Sequence, residues 1–131
     1  MNSPQPLLLD SHVLLWWWCC PLLLTPHVRN ALADPQQPVL VSAASLQELS
    51  AAARNGDLPE LRPVLWQLPQ LVEQEGFRLL PISASHALLA GQLSGPGDDI
   101  DRLLLAQAQL ENLRLVSADP ALHRPGSAWL W

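Results

Sequence analysis

The hydrophobic residues of this chain form short continuous runs separated by segments with helical spacing. The first run, Leu7-Leu8-Leu9, follows two prolines and ends at Asp10. It contains no polar position, which is typical of a strand buried on both faces of a parallel sheet. Similar apolar runs predict further strands over residues 38–42, 77–80 and 113–117, and an edge strand over residues 128–131.

The segments between these runs predict helices, and several of them carry recognisable end signals. Thr25 followed by Pro26 is a strong helix start, and Gly56 after Asn55 is a strong helix end. The predicted helices cover residues 13–18 with Ser11 as the cap, 27–33, 43–54, 60–75 with a kink at Pro69, 83–93 and 99–111 with Asp98 as the cap. Because strands alternate with helices, we expect an α/β fold. It would be a single domain over residues 1–131, a three-layer α/β/α sandwich around a mostly parallel sheet of four to five strands.

The first predicted helix carries three consecutive tryptophans, Trp16 to Trp18, and then two cysteines. Neighbouring helical residues point about 100° apart, so one helix face cannot bury all three indoles. We expect at least one of them to contact a neighbouring element or another chain. Cys19 and Cys20 are adjacent and predict reduced thiols, buried as small apolar residues in a reducing compartment.

The composition sets limits on where the protein acts and what it binds. The chain has 131 residues, 49% of them hydrophobic, which is enough for a packed core. Lysine is absent, and the net charge of −5 argues against broad electrostatic capture of nucleic acid while leaving a local site open. The apolar segment 13–24 is too short for a membrane span, and residues 1–6 lack the basic residue of a secretory signal. We therefore expect a cytoplasmic protein with no membrane partner.

Four acidic residues hold positions that a parallel sheet brings to one edge. Asp10 and Asp119 each follow a strand, Glu48 lies two turns into the helix after the second strand, and Asp101 lies in the first turn of a later helix. Ligands bind beyond the carboxyl ends of such strands. Clustered carboxylates repel one another unless a cation joins them. Oxygen ligands without a cysteine or histidine pattern favour Mg²⁺, or Mn²⁺, over zinc.

Each of these acids also has a structural interpretation. Glu48 fits a helix capping box, although Ser42 is the better cap for its helix. Asp98 and Asp101 are acids at a helix amino terminus, where the macrodipole favours them, and Asp119 precedes a proline as turn residues often do. Singly each acid is a weak indication, and their shared topology is the stronger one.

The histidines predict no acid–base site. His12 lies in the first helical turn and is expected to be structural. The other three are scattered and expected to be exposed: His27, His86 and His123. No serine–histidine–acid or cysteine–histidine arrangement accompanies them.

Four motifs follow one another along the chain: LLLDSHVLLW at 7–16, VSAASLQE at 41–48, DRLLLAQA at 101–108 and LVSAD at 115–119. In this order, and over nearly the whole chain, they resemble the PIN-domain ribonucleases, specifically the VapC-like toxins of bacterial toxin–antitoxin pairs. The resemblance implies Mg²⁺-dependent cleavage of RNA, inhibition by a cognate antitoxin and frequent homodimerisation. By position it implies that the metal-binding catalytic acids are Asp10, Glu48, Asp101 and Asp119, supported by Ser11, Ser117 and Asp98.

The chain departs from the family pattern around the site. Relatives often read Asp-Pro-Phe-Asp-Arg where this chain has Asp98-Asp99-Ile100-Asp101-Arg102, and a histidine frequent before that motif is missing. The helix after Glu48 often ends with Gly-Lys, whereas here Asp57 follows the glycine. The predicted RNA contacts are therefore few: Arg54, Arg102 and Arg124. Two functions stay open, a ribonuclease toxin and a PIN fold without activity that binds another protein. A phosphoacceptor receiver domain would need a lysine that this chain lacks.

Overall fold

The sheet has five parallel strands, as the apolar runs predict. A computed structural model describes residues 4–131. Residues 1–3 belong to the predicted domain and to the segment considered for a secretory signal, and they lie outside the described residues. The strands are β1 Leu7–Leu9, β2 Val39–Ser42, β3 Arg78–Leu80, β4 Arg114–Val116 and β5 Trp129–Leu130. They lie in the order β3-β2-β1-β4-β5, and every neighbouring pair is parallel. All strands therefore end at one edge of the sheet.

Helices cover both faces of this sheet. The described residues form the α-helices α1 Ser11–Cys19, α2 Pro26–Ala33, α3 Ala43–Asn55, α4 Leu68–Gln74, α5 Ala84–Gln92 and α6 Asp99–Leu110. Short 3₁₀ helices occupy Pro21–Leu23, Pro59–Gln67 and Pro120–Leu122. Side chains on one strand alternate between faces, so Leu7 and Leu9 pack into one core cluster while Leu8 packs into the other. The predicted three-layer α/β/α fold is confirmed.

Prolines account for the main error in the predicted elements. The helix expected over residues 60–75 is a 3₁₀ helix followed by the short helix α4. Pro63 lies inside the 3₁₀ segment and Pro69 in the first turn of α4. Neither proline can donate a backbone hydrogen bond, so a continuous α-helical ladder cannot pass through both positions.

Helix α1 differs from prediction at both ends. Its cap is Asp10, whose side chain accepts a hydrogen bond from the His12 amide at 3.3 Å, whereas Ser11 is already helical. Cys19 and Cys20 are exposed, so the prediction that they are buried is wrong. The buried residues of this helix lie in its first half, and the tryptophans that follow are partly buried against the core.

The three tryptophans of α1 contact neighbouring elements, as expected. The indole nitrogens of Trp17 and Trp18 both donate to the carboxylate of Glu75, at 3.1 and 3.2 Å. The Trp16 ring lies 5.9 Å from the ring of Trp131, centroid to centroid. Within residues 4–131 no helix is long and apolar enough to cross a membrane.

Candidate active site

Asp10 lies at the carboxyl edge of the sheet and is held there from several sides. Its amide donates to the carbonyl of Val116 at 3.0 Å, which ties the residue to the end of β4. Its Oδ2 accepts a hydrogen bond from the Ser117 hydroxyl at 2.6 Å. Asp10 is 8% exposed and Ser117 is fully buried. A nearly buried carboxylate with a short, fixed hydrogen bond has little freedom to turn away from the site.

Ser117 also joins Asp10 to Asp119. Its Oγ accepts a hydrogen bond from the Asp119 amide at 3.0 Å, so one hydroxyl donates to the first acid and accepts from the backbone of the second. Asp119 is exposed, and its Oδ1 accepts from the Ala121 amide at 2.9 Å, which caps the 3₁₀ helix Pro120–Leu122. The turn interpretation of Asp119 is therefore confirmed, and its carboxylate nevertheless lies beside the site.

Asp98 and Asp101 form a reciprocal capping box at the start of α6. The Asp101 amide donates to Asp98 Oδ1 at 2.9 Å, and the Asp98 amide donates to Asp101 Oδ2 at 3.0 Å. Burial raises the pKa of Asp101 to about 6, and the negative charges of Asp98, Asp10 and Asp119 add to the increase, against a hydrogen bond from the Asp98 amide that lowers it. Asp101 therefore lies within electrostatic range of Asp10 and Asp119.

Glu48 lines a different cavity from Asp10 and Asp119. Ser42 caps its helix by accepting from the Ala44 amide at 2.9 Å, so the capping box proposed for Glu48 does not form. Glu48 lines a cavity of about 310 Å³ together with Ser11 and His12. Asp10 and Asp119 line a second cavity of about 300 Å³, which also includes His12. The two cavities are neighbours through His12, and the role predicted for Glu48 as a metal ligand stays a prediction.

The donor set matches a hard divalent cation in its chemistry. Asp10, Asp101 and Asp119 offer carboxylate oxygens, and the buried Ser11 hydroxyl has no hydrogen-bond partner among residues 4–131. Oxygen-only donors are the ligands that Mg²⁺ and Mn²⁺ prefer. Across the same residues, no three histidine, cysteine or acidic side chains already converge on a point that would hold a metal ion. The residues present thus fit such an ion by type and charge.

The predicted RNA-contacting arginines differ in how they are bound. Arg102 donates to the carbonyl of Gly97 at 2.9 Å and to Asp99 Oδ1 at 3.0 Å. Arg124 is half-buried and donates to backbone carbonyls from all three of its guanidinium nitrogens. Arg54 is exposed at the end of α3. It lies six residues beyond Glu48, which turns it about 240° around the helix axis from that side chain. RNA contact by these arginines stays a prediction.

A buried polar network beside the site was missed by sequence reasoning. Gln107 is fully buried; its Oε1 accepts from the Ser42 hydroxyl at 2.6 Å, and its Nε2 donates to the carbonyl of Pro81 and to His86 Nδ1, both at 3.3 Å. His86 is 2% exposed, so its predicted exposure is wrong. Its Nδ1 accepts hydrogen bonds, which leaves the proton on Nε2, 2.9 Å from Glu111 Oε1. The signal for this network was a single glutamine within the apolar stripe of α6.

The histidine nearest Asp119 was also expected to be exposed and is not. His123 is half-buried, and its ring stacks on Trp129 with centroids 3.9 Å apart. Its Nε2 donates to the carbonyl of Ser117 at 2.5 Å. This contact holds the segment after Asp119 against the end of β4.

This fold and the acids at its edge define a class of protein. The chain belongs to the PIN domain family, whose model matches residues 7–127. It is 36% identical over 129 residues to Ribonuclease VapC22 of Mycobacterium tuberculosis (strain ATCC 25618 / H37Rv), a match that covers 93% of this chain and 97% of the relative. The resemblance to VapC-like proteins inferred from the four motifs is therefore confirmed.

Solved structures share this fold at low sequence identity. The structure of VapBC2 from Rickettsia felis bound to a DNA fragment from its promoter matches with a TM-score of 0.69 and 16% identity, covering 95% of this chain and 96% of that chain. A toxin–antitoxin complex from Klebsiella pneumoniae matches with a TM-score of 0.61 and 16% identity, covering 95% of each chain. At these identities the structural matches establish the fold.

Proposed function

We propose that this protein is a VapC-type toxin that hydrolyses RNA phosphodiester bonds with a divalent ion, Mg²⁺ or Mn²⁺. The observation that carries the proposal is the shared hydroxyl of Ser117, which joins Asp10 to the Asp119 turn beside Asp101. The 36% identity to a ribonuclease supports RNA as the substrate. We place the activity in the cytoplasm, where RNA is present.

In this proposal Asp10, Asp101 and Asp119 hold the ion, with Glu48 as the fourth acid. Such an ion supplies a positive charge opposite the phosphate and lowers the pKa of water. Ser117 keeps the Asp10 carboxylate turned toward the site by its 2.6 Å hydrogen bond. Asp101, whose pKa is raised to about 6, binds a proton on its carboxyl group near neutral pH more readily than an ordinary aspartate does. A cation beside it would favour the ionised form.

The partners we propose are RNA, a cognate antitoxin and a second copy of this chain. The structural relative from Klebsiella pneumoniae is itself a toxin–antitoxin complex, and the one from Rickettsia felis is VapBC2 bound to promoter DNA. Large apolar side chains exposed on this chain provide surface for such contacts: Leu22, Leu23, Trp66 and Leu88.

Asp10→Asn tests the proposal directly. We expect RNA cleavage in Mg²⁺, measured on a panel of RNAs that includes tRNAs, to fall by more than about 100-fold, because the change removes a ligand's charge at the site. Growth arrest on expression should be relieved as well. Asp34→Asn is the matched control, since Asp34 is exposed and lies before β2 at the opposite edge of the sheet. Cleavage by Asp10→Asn at the parent rate would refute the assignment of the acids.

A second candidate is a PIN fold that binds protein without cleaving RNA. The use of Arg102 and Arg124 for contacts within the chain favours it, because few cations are left to hold a phosphate backbone. Calorimetry separates the two functions. Binding of Mg²⁺ or Mn²⁺ at millimolar concentration supports the nuclease, whereas its absence supports the binding module.

A further inference from the structure

We propose that Arg124 is a positioning residue that joins the two acidic segments of the site, in place of the RNA contact expected from the sequence. One segment is the turn of Asp119, and the other is the loop 94–98 that leads into Asp101. The effect on metal binding rests on the proposed function. The hydrogen bonds by which Arg124 connects the two segments are within this chain and do not depend on the proposed function.

The first segment that Arg124 contacts is the turn after β4. Arg124 Nε donates to the carbonyl of Ala121 at 3.3 Å, and the Ala121 amide donates to Asp119 Oδ1. Arg124 also follows His123, whose ring is fixed by its hydrogen bond to the Ser117 carbonyl and by its stacking on Trp129. The base of the arginine side chain is therefore anchored to the same strand end that holds Asp119.

The second segment that Arg124 contacts is the glycine-rich loop before α6. The two terminal nitrogens of Arg124 donate to the carbonyls of Ser94 and Pro96, which lie on either side of Gly95. Gly95 has a φ of +97°, a left-handed conformation that favours glycine. A single planar guanidinium thus fixes two carbonyls of an exposed loop.

The position of this loop determines the surroundings of Asp101. A Cβ at Gly97, where φ is +106°, would lie 2.9 Å from Asp101 Oδ2, so the loop backbone passes directly against that carboxylate. The next residue, Asp98, donates its amide to the same oxygen at 3.0 Å. If the loop moves, Asp101 loses both its packing partner and its backbone hydrogen bond. Arg124 therefore helps to hold this loop, whose Gly97 carbonyl also accepts from Arg102, against the turn that carries Asp119.

Lysine cannot replace arginine in this arrangement. The three carbonyls are spread around the guanidinium plane, and each is met by a different nitrogen. A lysine ammonium is a point charge that would keep the positive charge without spanning all three acceptors. In contrast, a phosphate contact on an exposed surface tolerates lysine, because attraction to RNA depends mainly on charge. Arg124→Lys therefore separates the two roles.

The experiment compares Arg124→Lys and Arg124→Gln with the parent protein and with Arg78→Gln, a control that removes an exposed arginine on β3. Hydrogen exchange of residues 94–101, Mn²⁺ binding by calorimetry and RNA cleavage are measured on each. We expect both Arg124 variants to exchange faster over 94–98, to bind Mn²⁺ about 10-fold more weakly, and to lose kcat with little change in KM. Arg78→Gln should match the parent in exchange and Mn²⁺ affinity.

Two results would overturn the proposal. One is an Arg124→Lys protein with parental exchange and Mn²⁺ affinity; the other is an Arg124→Gln protein that raises only the KM for RNA. If the glutamine variant does not fold, as judged by its thermal unfolding, the lysine variant still decides. If instead the proposed function is wrong, the parent protein will neither bind Mn²⁺ nor cleave RNA. Faster hydrogen exchange of the loop in both Arg124 variants would still establish that Arg124 connects the two segments.

Discussion

The Ser117 hydroxyl donates to Asp10 Oδ2 at 2.6 Å and accepts from the Asp119 amide at 3.0 Å. Few side chains can do both, since a hydroxyl combines one donor with acceptor lone pairs. An alanine at this position would leave Asp10, which is 8% exposed, without its short hydrogen bond, and a poorly paired buried carboxylate is costly. The resemblance to VapC-like proteins predicts that this serine supports a metal site. The structure adds the specific contacts by which it acts on two acids.

Asp101 makes the stability of the metal-free protein depend on pH. Its pKa in the folded chain is about 6, above its ordinary value of 3.8, so the folded state binds this proton more tightly than the unfolded state. The resulting stabilisation is fully present below the unfolded pKa and is lost as the pH rises through the folded pKa. We expect the Tm in EDTA to decrease between about pH 4 and about pH 7, with a smaller decrease in Asp101→Asn.

Thermal unfolding followed by circular dichroism provides the measurement, with parent and Asp101→Asn compared at each pH. Asparagine keeps an oxygen that can accept from the Asp98 amide, so the helix cap is retained while the titrating group is removed. Mg²⁺ should stabilise the parent most at the upper end of the range, where Asp101 is ionised. Identical pH profiles for the two proteins would exclude Asp101 as the source.

The helices and strands that follow from the local sequence pattern were predictable, whereas contacts between distant segments of the chain were not. Leu7–Leu9 is apolar at every position because both faces of β1 are covered, and this pattern by itself predicts that Asp10 lies at the carboxyl edge. The positions of Asp10 and Asp119 after parallel strands predicted in the same way that both lie at this edge. The Arg124 contacts join residues 28 and 30 positions apart. These contacts depend on the loop conformations at two glycines, which the periodicity of hydrophobic residues does not predict.

The network around Gln107 links elements that carry the site to elements that do not. Gln107 on α6 contacts Ser42, the cap of the helix that carries Glu48, and His86 on α5. We expect Gln107→Leu to reduce the free energy of unfolding by about 1–3 kcal/mol, because it leaves the Pro81 carbonyl and the Ser42 hydroxyl proton without this partner. Urea denaturation measures the change. Gln109→Leu, at an exposed position of the same helix, should change stability by less than about 0.5 kcal/mol. Equal effects of the two substitutions would show that the network does not contribute.

At the scale of the whole molecule, the positive charges are mostly committed to the chain itself. Several arginines donate to backbone carbonyls within residues 4–131: Arg62, Arg102, Arg114 and Arg124. With no lysine and a net charge of −5, the surface provides little attraction for a phosphate backbone beyond the site. RNA recognition would then depend on the bound cation and on very few side chains, of which Arg54 is the most exposed candidate.

This charge distribution predicts an unusually weak dependence of RNA binding on salt. Each phosphate neutralised on single-stranded RNA contributes about −0.7 to the slope of log K against log salt, so one or two contacts give a slope of about −1. Fluorescence anisotropy with Asp10→Asn, at fixed Mg²⁺ and between about 50 and 200 mM salt, measures it without cleavage. Arg54→Gln in that background should make the slope shallower by about 0.7, whereas Arg78→Gln should leave it unchanged. A slope steeper than about −3 would require more than about four phosphate contacts, and hence a basic surface that a single copy of this chain does not present.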